Sequence, residues 1–91
     1  MKFDFDPPKS QGNKEKHGID FIEAQKIWDD IDLIRDVPDS HKEGEQYWLA
    51  VGAIHGVIWS MIYNRRGGTV WIVSVRRARD YERAEYEILK S

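Results

Sequence analysis

The chain has 91 residues, with 14 Lys and Arg against 16 Asp and Glu, a formal net charge of −2, 41% hydrophobic content and no cysteine. A chain of this length supports one core and buries only about 60–65% of the surface its unfolded form exposes. Without cysteine it has neither a disulfide framework nor a thiolate zinc site, and a negative net charge argues at first against nucleic acid, whose phosphates are bound mainly by Lys and Arg.

Lys2-Phe3-Asp4-Phe5-Asp6 alternates aromatic and charged residues, which predicts a short strand. No apolar segment follows the first Met, so the chain reads as cytoplasmic rather than exported. Pro7 and Pro8 stop the strand and suit the first turn of a helix over Lys9 to Lys16, closed by Gly18. Asp20 and Glu23 have capping-box spacing, and Phe21, Ala24, Ile27, Trp28 and Ile31 make one apolar stripe, so a second helix starts there. Asp29 and Asp30 are unfavourable at the negative end of a helix dipole and end it.

Asp32 to Val37 predicts a strand and Pro38 to Glu45 a loop. Gln46 to Asn64 runs 19 residues without a formal charge, long enough for a membrane helix. His55-Gly56 at its centre and the β-formers Trp48, Val51, Val57, Ile58, Trp59 and Tyr63 instead favour a hairpin. A second turn over Asn64 to Gly68 leads into a strand from Thr69 to Arg76, with Val70, Ile72, Ser74 and Arg76 on one face. Tyr81, Ala84 and Ile88 recur at helical spacing and predict a C-terminal helix from Asp80. The whole is one α+β domain over residues 1–91: an antiparallel β-sheet with two N-terminal helices and one C-terminal helix, the helices covering one face.

Charge is uneven along this chain. Gly18 to Ala50 carries nine acids against three bases, whereas Arg65 to Arg83 carries six Arg against two acids. A guanidinium binds phosphate through paired hydrogen bonds, so Arg65, Arg66, Arg76, Arg77, Arg79 and Arg83 are candidate phosphate contacts. The competing explanation is a solvated basic sheet edge. A strand from Thr69 to Arg76 rises about 25 Å, which separates the six into two groups unless the sheet twists or the last helix folds back. Cleavage of a phosphodiester by its neighbouring 2′-hydroxyl needs a base, an acid and positive charge on the phosphoryl oxygens. His17 is a candidate for proton transfer by residue type, although a His at a helix C-terminus is also stabilised by the dipole alone. Lys9 is a phosphate ligand or a solvated first-turn Lys. His41 and His55 read as loop and turn residues, and the Trp and Tyr residues as mostly core.

Taken in order, Phe5-Asp6-Pro7, Lys9, Asn13, Lys16-His17-Gly18 and Phe21-x-Glu23-Ala24 form the first half of a pattern. Tyr63-x-x-Arg66-Gly67, Ser74-x-Arg76-Arg77-Ala78 and Glu82-Arg83-x-x-Tyr86 form the second. The set resembles the BrnT family of type II toxins over nearly the whole chain. The resemblance implies a RelE-like fold and a metal-independent, cofactor-free endoribonuclease that inhibits translation by cutting RNA. It also implies a BrnA-like DNA-binding antitoxin as partner, with a toxin dimer allowed in that complex. Carried over position by position, it assigns catalysis to Lys9, His17, Arg66, Arg76 and Arg77 and RNA contacts to Arg83 and Tyr86, while Arg65 and Arg79 are RNA-contact candidates on the charge pattern alone. Tyr47 and Trp71 stand where Arg is common in the family, and Asn64 and Arg79 where Thr is frequent. The alternative is a catalytically degenerate module that binds antitoxin or nucleic acid without cutting RNA.

Overall fold

The computed structural model describes residues 1–39 and 44–90. In chain order the elements are β1 (Lys2–Asp4), α1 (Pro7–His17), α2 (Phe21–Ala24), which continues as a 3-10 segment (Gln25–Asp29), β2 (Ile34–Asp39), β3 (Tyr47–Ile54), β4 (Val57–Arg66), β5 (Thr69–Arg77) and α3 (Asp80–Lys90). The five strands form one sheet in the order β1-β5-β4-β3-β2. The sheet is mixed rather than antiparallel, because β1 lies parallel to β5 while every other pairing is antiparallel.

The local signals for α1 and for the central hairpin hold. Pro7 opens α1, and Gly18, at φ 81°, closes it in the left-handed conformation by donating its N–H to the Lys14 carbonyl. The β3–β4 turn sits at His55-Gly56 with φ 50° and 82°, the positive pair that a two-residue hairpin loop requires. Asp20 and Glu23 form the full capping box of α2.

The second helix is shorter than its apolar stripe predicts. After one α-turn the chain tightens to 3-10 geometry, and Ile31 is 96% exposed. The cause is Asp30, whose carboxylate turns inward to accept from the Ala53 N–H (2.7 Å) and the Tyr86 hydroxyl, while its other oxygen accepts from the Asp32 N–H. Gly52 permits this close approach, since a Cβ there would lie 3.0 Å from the Ile27 carbonyl oxygen. β2 begins two residues later than expected and runs through Pro38, which an edge strand tolerates.

Helices cover both faces of the sheet, not one. Strands β3 and β4 are apolar on both sides, so each side needs a cover. Phe21, Ala24 and Ile27 pack against Ala50, Met61, Tyr63, Val70, Ile72 and Val75 on one face. On the other, Tyr86 of α3 packs with Leu49, Val51, Ile58 and Ile62. The expected alternation in β5 is broken by a bulge: Tyr63 pairs with Ile72 but Ile62 pairs with Ser74, so Ile72 and Val75 enter the same core. Ser74 and Arg76 consequently lie opposite Ile62 and Ser60. In α3 the spacing of Tyr81, Ala84 and Ile88 marks the outer side, while Glu82 and Tyr86 point inward.

Candidate nucleic-acid interface

Because β4 and β5 are antiparallel, the arginines of the turn and those of the strand end fall at opposite ends of the sheet. Arg66 pairs with Thr69, and Trp59, seven residues earlier on β4, pairs with Arg77. At about 3.3 Å per residue this separates the two groups by roughly 23 Å.

At the β5 end, a buried carboxylate organises the charge. Glu82 is 3% exposed. One of its oxygens accepts from Arg76 Nη1 (2.7 Å), Ser60 Oγ (2.8 Å) and the Arg79 N–H (2.8 Å), and the other from Arg76 Nη2 (3.0 Å). Burial alone would push this carboxyl up, but the hydrogen bonds from Arg76, Arg79 and Ser60 outweigh it and hold its pKa at about 2. The same pairing raises the pKa of Arg76. Glu82 thereby ties the end of β5 to the first turn of α3, and the positive charge of Arg76 is neutralised inside the fold. Glu82 also satisfies the N–H at the helix start, a role that Asp80 does not take, since its 98%-exposed carboxylate pairs with Arg83.

Arg77 and Arg79 project from this frame. Both are exposed and neither forms an ion pair among the described residues. The Arg77 guanidinium lies 5.6 Å from the centroid of the Trp59 ring. Arg77 and Arg83 also line a hollow of about 230 Å³ with Gly56 and Glu87. Trp59 borders a second hollow of about 300 Å³ with Gly18 and His55. Gly18 follows His17, so the C-terminal end of α1 reaches the same end of the sheet as Arg77. Lys9 is exposed on the first turn of α1, eight positions and about 12 Å of helix before His17.

Three other sequence candidates are placed differently. Arg65 is engaged by Asp36, with Nη2 at 2.8 Å and Nε at 3.1 Å from one carboxylate oxygen. Tyr86 is 2% exposed and donates its hydroxyl to Asp30, so its ring is closed to a stacking base. Arg66, at the far end, lies 4.3 Å over Trp71. His41 lies outside the described residues. Among the described residues no group of three or more His, Cys, Asp or Glu converges as a metal ligand set, and no helix is long and apolar enough to cross a membrane.

Residues 5–82 match the family model described as the ribonuclease toxin BrnT of type II toxin–antitoxin systems. The chain belongs to the BrnT family. A search of curated proteins gives no match. Membership makes ribonuclease toxin the activity of the family in which this chain stands, and its type II character implies an antitoxin partner.

Two BrnT-family positions that matter here carry no functional signal when read singly. Glu82 stands three residues after Arg79, the spacing at which a side chain reaches back to a helix start, and that is its sequence trace. Asn13 is 8% exposed and acts as a substitute strand. Its amide donates to the Val75 and Ile19 carbonyls (2.9 and 2.8 Å) and accepts from the Val75 N–H (3.2 Å), which pairs β5 beyond the end of β1. Both residues fix where Arg77 emerges.

Proposed function

We propose that this BrnT-family chain is a metal-independent endoribonuclease acting in the cytoplasm, with its site where β5 ends and α3 begins. The observation that carries the reading is Arg77: a cation without an ion pair among the described residues, 5.6 Å from the Trp59 ring centroid and at the end of the sheet that the C-terminal end of α1 reaches. Arg77 and Arg79 bind the phosphate oxygens and the charge that develops on them, with Arg83 at the border. The 2′-oxygen bonds to phosphorus as the bond to the 5′-oxygen breaks; one proton leaves the 2′-hydroxyl and one reaches the 5′-oxygen. His17 carries one of these transfers. Lys9, about 12 Å along the helix, binds RNA backbone, and Arg76 positions Arg77 through Glu82. A RelE-like arrangement and loss of translation through RNA cutting belong to the same reading.

A BrnA-like antitoxin neutralises this site by laying an acidic segment over Arg77 and Arg79. The test is RNA cleavage in excess chelator. Arg77→Ala is expected to lower the rate about 100- to 1,000-fold and His17→Ala at least about 100-fold. Undiminished cleavage by both variants removes the site.

The neutralisation of Arg76 by Glu82 favours a second reading, an antitoxin-binding module without nuclease activity. Expression without antitoxin separates the two: growth arrest supports the nuclease, and harmless soluble expression supports the module.

A further inference from the structure

The last helix is built inside out. Glu82 and Tyr86 are the buried residues of α3, and polar bonds hold both: Glu82 accepts from Arg76, Ser60 and the Arg79 N–H, and Tyr86 donates its hydroxyl to Asp30. The apolar stripe faces solvent instead. Tyr81 is 64% exposed and Ile88 71%, and with the exposed Ala84 they stand at i, i+3 and i+7, which places all three on one outer face. A surface helix ordinarily turns such a stripe to its own core, so one left outward marks an interaction site. The charges beside it have one sign. At 3.6 residues per turn Glu85 borders the stripe on one side, and Asp80 and Glu87 border it on the other. Asp80 is paired with Arg83, whereas Glu85 and Glu87 form no ion pair among the described residues.

We propose that the outer face of α3 docks an amphipathic helix of the antitoxin, one whose apolar stripe is flanked by Lys or Arg. Membership in a type II toxin family supplies a protein partner, and the acidic borders select the chemistry of the segment that fits. A second copy of this chain fits poorly, because a self-complementary contact sets acid against acid on both sides of the stripe. An anionic lipid surface is repelled by the same carboxylates. Tyr81 follows Arg79 by two residues, so a partner that lays an acidic segment over Arg77 and Arg79 continues onto α3 without a break. The inference rests on the antitoxin partnership and not on the nuclease, and the two fail separately.

Affinity for the separately purified antitoxin is measured by calorimetry with wild type, Tyr81→Ser/Ile88→Ser and Glu85→Lys/Glu87→Lys. RNA cleavage and the sedimentation of each free protein are followed alongside. Tyr81→Ser/Ile88→Ser is expected to lose about 30-fold or more in affinity, as removal of an interface hot spot does, while its cleavage rate stays within twofold of wild type. Glu85→Lys/Glu87→Lys is expected to lose about tenfold or more, since basic flanks then meet basic borders. Tyr81→Ser/Ile88→Ser binding antitoxin within threefold of wild type overturns the docking site and leaves the nuclease reading intact. Undiminished binding by Glu85→Lys/Glu87→Lys overturns the basic-flanked segment. A wild-type dimer that Tyr81→Ser/Ile88→Ser dissolves gives the face to a second copy and likewise overturns the proposal. The expected loss of affinity in a protein that cuts no RNA keeps the docking site and removes the nuclease. Should Tyr81→Ser/Ile88→Ser fail to fold, Ile88→Ser alone carries the same test.

Discussion

Glu82→Gln is the substitution that most directly probes how the basic end is built. The folded-state pKa of about 2 against a reference of 4.5 gives a difference of about 2.5, which at about 1.36 kcal/mol per unit is about 3 kcal/mol of stability. Because the folded value is depressed, this stability is fully present above pH 4.5 and is lost as pH falls from there through about 2. Gln keeps an oxygen for Ser60 and the Arg79 N–H but turns an NH₂ toward Arg76, leaving a guanidinium that is 20% exposed without its counter-charge. Against a total of about 5–15 kcal/mol for a domain, the loss is large.

Equilibrium urea unfolding followed by tryptophan fluorescence measures it. With a slope of about 1–3 kcal/mol/M, the midpoint at pH 7 is expected to fall by about 1–3 M. The gap between wild type and variant should close between pH 4.5 and 2 as wild-type Glu82 takes up its proton. Adding Arg76→Met should restore part of the loss, since the unpaired charge is removed as well. A midpoint shift below about 0.3 M at pH 7, or a shift of the same size at pH 2.5, would refute the account of Glu82 as an ionised clamp.

Two further substitutions test placements described above. Asn13→Asp sets a carboxylate against the Val75 and Ile19 carbonyls, so a loss of at least about 2 kcal/mol is expected, with local hydrogen-exchange protection lost first at Val75. Tyr86→Phe removes the hydroxyl from Asp30, which is otherwise held by the Ala53 N–H. It should cost about 1–2 kcal/mol in urea unfolding and leave RNA cleavage by the folded protein within twofold of wild type.

What the sequence disclosed here is what short-range chemistry decides. Pro7 and Gly18 bracket α1, Asp20 and Glu23 cap α2, and His55-Gly56 turns the hairpin, because each depends on residues within one turn of chain. The parallel partnership of β1 with β5 depends on residues 67 positions apart, from Lys2 to Thr69, and no local pattern encodes it. The bulge in β5 is equally silent, as Val73 looks like any other strand valine, yet it moves Ile72 and Val75 into one core. At the site, the type of residue was legible and its state was not. Arg76 reads as a free cation until Glu82 is found beneath it, and Tyr86 reads as an aromatic available to RNA until its burial against Asp30 is seen.

Net charge misleads here because it counts groups that the fold has already paired. Of the six arginines between 65 and 83, Arg65, Arg76 and Arg83 sit in ion pairs, whereas Arg66, Arg77 and Arg79 do not among the described residues. Counterion release counts only the charges that reach phosphate, with a slope of log K against log salt near −0.7 per contact on a single strand. Under the proposed RNA binding, three arginines without an ion pair among the described residues would contribute about −2 to that slope if each met a phosphate, and six would contribute about −4. Arg77→Gln should therefore flatten the slope by about 0.7, while Glu82→Gln should steepen it by a similar amount, because it releases Arg76. The same change thus weakens the fold and strengthens the field, a pairing of effects that a solvated basic edge does not produce. If Glu82→Gln leaves the slope of RNA binding unchanged, Arg76 does not face the RNA even when released, and its part in the site is purely to hold β5 against α3.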